Sequence, residues 1–265
     1  MEARVLVVCG NGINADAELA EAFRLSGAKP GRCHVNDLVA DPSILDATEI
    51  LAFPGGFSYG DHLGSGQVLA LLCRRSLRRP LEAFVARGGL VIGICNGFQA
   101  LVKMGMLPNR PGPDGKADWR REVSLIHNAS GAFFDGWVPV RFETASRSVW
   151  TAGLAPRSLP VRHGEGRFVA KDAATLAALE AEGHVALRYG LPGAAPGEGN
   201  PNGSERDIAG ICDTTGRVLG LMPHPEAWLV AENGPGRRRG GALPGEGFLG
   251  LDLFAKGVAA ARAAR

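Results

Sequence analysis

Leu90-Val91-Ile92-Gly93-Ile94-Cys95-Asn96-Gly97-Phe98-Gln99 carries the strongest structural signal in the chain. Its apolar opening reads as a strand buried on both faces. Phe98 to Met104 reads as an amphipathic helix, with Gly93 and Gly97 flanking a tight turn between the two. A residue at such a strand-to-helix turn is pushed to an exposed apex. The first helical N–H groups and the positive end of the helix dipole lie beside it, and both favour a thiolate. Cys95 is therefore a candidate nucleophile. The alternative is a small, inert cysteine at a strand end.

Working outward, the same grammar repeats. Val5 to Cys9 is a second apolar run, closed by Gly10-Asn11-Gly12, and Asp16 to Leu25 has helical spacing. Arg32 to Val35 and Ile50 to Phe53 are further short strands, the latter ended by Pro54-Gly55-Gly56. Helices are expected over 66–77 and 80–87. Strands alternating with helices imply an open, mostly parallel α/β sheet covered on both faces. Beyond the Pro/Gly-rich stretch 108–119 the pattern changes. Strands are expected at 123–126, 137–142, 159–162 and 166–170 in an additional antiparallel region, then a helix over 173–182. Leu191 to Asn202 is a long loop. Ile208 to Cys212 and Val218 to Met222 form a hairpin-like pair. Residues 232–247 read as irregular and 248–262 as a closing helix.

Bulk properties exclude several classes. The chain has 265 residues, 45% hydrophobic and 21% charged, with a net charge of +2. These values suit a globular protein and give no strong field toward nucleic acid or a membrane surface. The basic spots Arg74-Arg75, Arg78-Arg79 and Arg237-Arg238-Arg239 read as solvated faces or loops. The cysteines are Cys9, Cys33, Cys73, Cys95 and Cys212, odd in number and without C-x-x-C, so neither a disulfide framework nor a metal site is expected. The first apolar run is too short for a signal-peptide core, and no stretch reaches the length of a membrane span. A cytoplasmic location follows as the expectation.

A cysteine nucleophile needs a base and a group that orients it. Two H-x-E arrangements qualify: His163-Gly164-Glu165 and His224-Pro225-Glu226. Spacing does not choose between them. Pro223 and Pro225 fix the backbone around His224 and favour that pair. The N–H of Asn96 is a natural oxyanion donor, and the Gly55-Gly56-Phe57 turn, at the carboxyl end of another strand, is a source for a second.

Five segments together carry a family resemblance: Gly55-Gly56-Phe57-Ser58-Tyr59-Gly60-Asp61, Gly93 to Gln99, His163-Gly164-Glu165-Gly166-Arg167-Phe168, Asn200-Pro201-Asn202-Gly203-Ser204, and Gly220-Leu221-Met222-Pro223-His224-Pro225-Glu226. The chain resembles class I (triad) glutamine amidotransferases, and within them the glutaminase subunits of phosphoribosylformylglycinamidine synthase. The resemblance implies one flavodoxin-like amidotransferase domain over 1–265. It implies Cys95 as nucleophile, His224 as base and Glu226 as orienter, with Gly56 and Asn96 lining the oxyanion hole. Gly55, Phe57, Gln99, Asn128 and Ser130 are implied in glutamine binding, and the His163 loop near the site but outside the triad. It further implies that the ammonia passes to a large synthetase subunit, accompanied by a small accessory subunit, for a step of de novo purine biosynthesis. No cofactor is expected in this chain. There is no G-x-x-x-x-G-K-[ST], so ATP and Mg are expected on the partner. Three arginines usual in the family are absent, at Gly64, Ala132 and Ala227.

Three rival readings stand beside this one. Gly10-x-Gly12-x-x-Ala15 after a strand, with Asp37 further on, fits a dinucleotide-binding oxidoreductase. An α/β-hydrolase would place its acid before the histidine, whereas Glu226 follows His224. A non-catalytic module would have no use for Cys95, His224 and Glu226 together.

Overall fold

The computed structural model describes residues 2–112, 115, 117–234 and 250–264. Within them nine strands form one sheet, and two more form a separate ribbon. The parallel half contains β1 (Arg4–Cys9), β2 (Lys29–His34), β3 (Ile50–Phe53), β4 (Leu90–Ile94) and β11 (Val218–Leu221), ordered β2-β1-β3-β4-β11. The antiparallel half continues through β10 (Ile208–Cys212), β9 (Val185–Tyr189), β6 (Phe134–Phe142) and β7 (Arg157–His163). The ribbon pairs β5 (Val123–Ile126) with β8 (Arg167–Ala170). This is the expected open α/β sheet with an antiparallel extension.

Every residue of β3, β4, β10 and β11 is buried, as the unbroken apolar runs require of central strands. Helix α1 (Asp16–Leu25) packs on the closing helix α7 (Leu251–Ala263) through Phe23 and Phe254, whose rings meet edge to face at 5.0 Å. Helix α3 (Gln67–Ser76) packs on α5 (Asn96–Met104), and α4 (Arg78–Ala86) lies between α3 and β4 in the chain. Arg74, from one of the basic spots, caps the end of α5 by donating to the carbonyl of Met104 at 2.8 Å. The chain leaves β1 toward β2 on one side and returns to β3 on the other. That reversal opens a crevice at the carboxyl edge of the sheet, where ligands of such folds bind.

Some expectations changed. The short helix α2 (Val35–Ala40) and strand β9 were not evident from the sequence. The helix expected over 173–182 is α6 (Ala173–Ala181), started by Asp172, whose carboxylate accepts from the N–H of Thr175. The expected irregular segment 232–247, the beginning of the closing helix and Arg237-Arg238-Arg239 lie wholly or partly outside the described residues.

The glycines of Gly10-x-Gly12-x-x-Ala15 serve packing. The carbonyl of Gly12 accepts from the N–H of Phe57 at 2.8 Å. A Cβ on Gly12 would sit 2.0 Å from the Phe57 carbonyl oxygen. Asp37 is exposed within α2, not at the end of a strand. The motif brings the β1 turn against the Gly55-Gly56-Phe57 turn, leaving no cradle open at Gly12 for a pyrophosphate.

Candidate active site

Cys95 stands at the apex between β4 and α5 with φ 51° and ψ −106°. A side chain held there stores backbone strain, roughly 1–3 kcal/mol. The surroundings over-determine it. Its N–H donates to the Leu221 carbonyl at 2.8 Å, and its carbonyl accepts from Gln99 N–H at 3.0 Å. Gly97 lets the helix approach β3, since a Cβ there would lie 2.0 Å from the Phe53 carbonyl oxygen. The Cys95 thiol contacts the main-chain carbonyl of Arg162 at 3.7 Å.

His224 follows β11, and its N–H donates to the Pro160 carbonyl of β7 at 2.8 Å. Pro225 begins a 3₁₀ turn over Pro225–Ala227. The turn, rather than an extended strand, brings Glu226 back onto the imidazole: Nδ1 and Oε1 are 2.6 Å apart. Both side chains are almost fully buried, at 2% and 1% exposure, so a charge on either must be paired. Burial by itself pulls the His224 pKa down. The charges of Glu226 and of the Cys95 thiolate outweigh it and push the pKa up to about 10. The imidazole Nε2 has no hydrogen-bond partner within normal geometry, leaving that nitrogen available to a reacting group.

The other H-x-E pair is used differently. His163 Nδ1 lies 3.1 Å from Asn128 Oδ1, and Nε2 lies 3.5 Å from the Asn202 amide. Burial and the neighbouring His224 lower its pKa to about 4, so it is neutral near pH 7. Glu165 turns away from it and accepts from the Ser65 N–H at 3.2 Å. Of the two H-x-E pairs, the His224–Glu226 one makes the imidazole–carboxylate contact.

Cys95 and His224 face a cavity of about 300 Å³, lined also by Gly56, Phe57 and Gln99. Gly55 lies just beneath: a Cβ on it would be 2.8 Å from His224 Cε1 and 3.6 Å from Cys95 Cβ. Gly55→Ala therefore displaces the imidazole, and kcat is expected to fall about 10- to 100-fold with little change in KM, read by steady-state kinetics. Asn96 opens α5, where helix N–H groups have no intrahelical acceptor. Its side chain is spent on scaffolding, accepting from Ser58 N–H and donating to Asp61 and Gln99. Asn128 and Ser130 are not among the lining residues. Asn128 is buried behind His163, and Ser130 is exposed on the neighbouring turn.

Asn14, Glu18, Phe133 and Arg162 also line the cavity. The sequence reading missed them because they come from a loop, helix α1, the turn before β6 and strand β7, segments that only the packing of the chain brings together. No lining residue comes from a Lys or Arg at the three positions of the absent arginines. The Lys103 ammonium approaches one of them, 3.2 Å from where a Gly64 Cβ would stand. Among the described residues no cluster could hold a metal ion, and no helix is long and apolar enough to cross a membrane.

Comparison with known proteins agrees with this geometry. The model of the CobB/CobQ-like glutamine amidotransferase domain matches residues 2–256. A Dehalococcoides mccartyi protein, phosphoribosylformylglycinamidine synthase subunit PurQ, is 40% identical over 98% of both chains. Its Treponema denticola namesake is 43% identical over 87% of this chain and 90% of its own. A chain in the structure of PurLQS from Thermotoga maritima is 30% identical, with a TM-score of 0.72 over 98% of this chain and 99% of that one. A strained cysteine over a buried histidine–carboxylate pair, in a chain matched nearly end to end by these relatives, places the protein in the glutamine amidotransferase family, among the PurQ subunits of phosphoribosylformylglycinamidine synthase.

Proposed function

We propose that Cys95, His224 and Glu226 hydrolyse glutamine to glutamate and ammonia, in one domain spanning the chain. The Cys95 thiolate attacks the side-chain carbonyl carbon. The oxyanion that forms is held by the main-chain N–H groups of Gly56 and Asn96. Imidazolium at His224 gives its Nε2 proton to the departing ammonia. The neutral imidazole then takes a proton from water, which attacks the thioester and releases glutamate. Glu226 holds Nδ1–H and stabilises the imidazolium throughout. Gly55, Phe57 and Gln99 shape the pocket.

The ammonia passes to a large synthetase subunit, assembled with a small accessory subunit. That subunit uses ATP and Mg to convert formylglycinamide ribonucleotide into the amidine in the cytoplasm. The observation that carries the reading is the 2.6 Å His224–Glu226 contact behind a cavity that Cys95 shares. The test is reaction with a glutamine-mimicking electrophile in the presence of the synthetase. One equivalent is expected on Cys95, with glutamine protecting. Labelling elsewhere, or none, overturns the proposal.

A further inference from the structure

We infer that the ion pair Arg162–Glu18 at the mouth of the cavity binds the amino-acid head of glutamine, Arg162 taking the α-carboxylate and Glu18 the α-ammonium. The inference rests on the glutaminase reading above and names the groups that give it substrate specificity.

Among the described residues, Arg162 is the one Lys or Arg that lines the cavity. A carboxylate entering beside Glu18, Asp61 and Glu165 meets three anionic side chains and needs a cation. Two of the three are spent on the protein. Asp61 accepts from Gly66 N–H and the Asn96 amide, and Glu165 accepts from Ser65 N–H. Lys103 is also committed, to the Ser65 carbonyl at 2.6 Å. Glu18 has Arg162 as its partner at 2.8 Å, and both stay partly exposed, so a ligand reaches them without breaking buried contacts.

The reach fits. The main chain of Arg162 touches the Cys95 thiol at 3.7 Å, while its partly exposed guanidinium pairs with Glu18, another residue of the cavity lining. In glutamine the reacting carbon and the α-carbon are about 4 Å apart along an extended chain. A zwitterion laid on the pair alternates charge around a ring, so no uncompensated charge is added. A guanidinium–carboxylate contact supplies both strength and orientation.

The test uses the reconstituted complex, with glutamine hydrolysis as the assay and two one-ended analogues as competitive inhibitors. One is 4-aminobutanamide, lacking the carboxylate, and the other is glutaramate, lacking the ammonium. Arg162→Met is expected to raise the KM for glutamine about 30- to 100-fold with kcat within about threefold. It is also expected to weaken glutaramate but not 4-aminobutanamide. Glu18→Gln is expected to do the reverse with the two analogues. Arg162→Lys is expected to recover part of the loss. An unchanged KM, a fall confined to kcat, or equal weakening of both analogues by either variant overturns the assignment. Thermal unfolding checks that each variant is folded. If the parent complex does not hydrolyse glutamine, the proposed function fails; if it does and the variants match it, only this assignment fails.

Discussion

Cys95→Ala is expected to lower glutamine-dependent synthesis by the complex at least about 10⁴-fold, because Cys95 is the one thiol among the described residues that line the cavity. Ammonia-dependent synthesis is expected to survive, since the variant removes the source of ammonia and leaves its user intact. The measurement is product formation with glutamine and, separately, with ammonium salt. Full retention of glutamine-dependent activity overturns the role of Cys95. A companion variant reads the strain. At φ 51° and ψ −106° a side chain is disfavoured and glycine is not. Cys95→Gly is expected to be as inactive as Cys95→Ala but more stable than it by about 1–2 kcal/mol in urea unfolding. Both variants lack the sulfur, so the difference isolates the backbone term. Equal stability contradicts stored strain at the apex.

Glu226→Gln is expected to reduce kcat about 10³-fold while the fold persists, because the amide keeps the shape and loses the charge. The pH profile should move with it. His224 is held near 10 by two anions against burial. Removing one lets burial dominate, so imidazolium is lost at lower pH. The alkaline limb of kcat/KM, expected near pH 10 in the parent, should shift downward by more than one pH unit in the variant. Stability follows the same sign. A folded pKa raised above the ordinary 6.5 stabilises the native state fully below 6.5, and the contribution disappears as pH rises through about 10. The gap in urea midpoint between parent and variant should therefore narrow across that window. A gap that widens would contradict the linkage.

Much of the parallel half was legible from the residues. β3 and β4 are apolar runs followed by tight glycine-bearing turns, and such runs have few alternatives to a buried strand. The apex at Cys95 followed from the glycines on either side of it. β9 was harder: His184-Val185-Ala186-Leu187-Arg188-Tyr189 mixes polar and apolar residues, and pairing with β10 and β6 decides its state. The cavity was only half visible. Phe57 and Gln99 sit in motifs, whereas Glu18 lies in the first turn of α1 and Arg162 near the end of β7, and neither position carries a local signal.

The sequence by itself determined which segments around Cys95 form buried strands, and the two H-x-E candidates, because apolar runs and glycine turns act over a few residues. Tertiary structure alone decided which H-x-E pair closes into an imidazole–carboxylate contact. That choice depends on β11 lying beside β4 and on Pro160 of β7 holding His224, contacts between segments far apart in the chain. It also decided that His163 is held from behind by Asn128 and that Arg162 and Glu18 meet beside the cavity. Local patterns fix which element forms; only the packing of the elements fixes which side chains share one site.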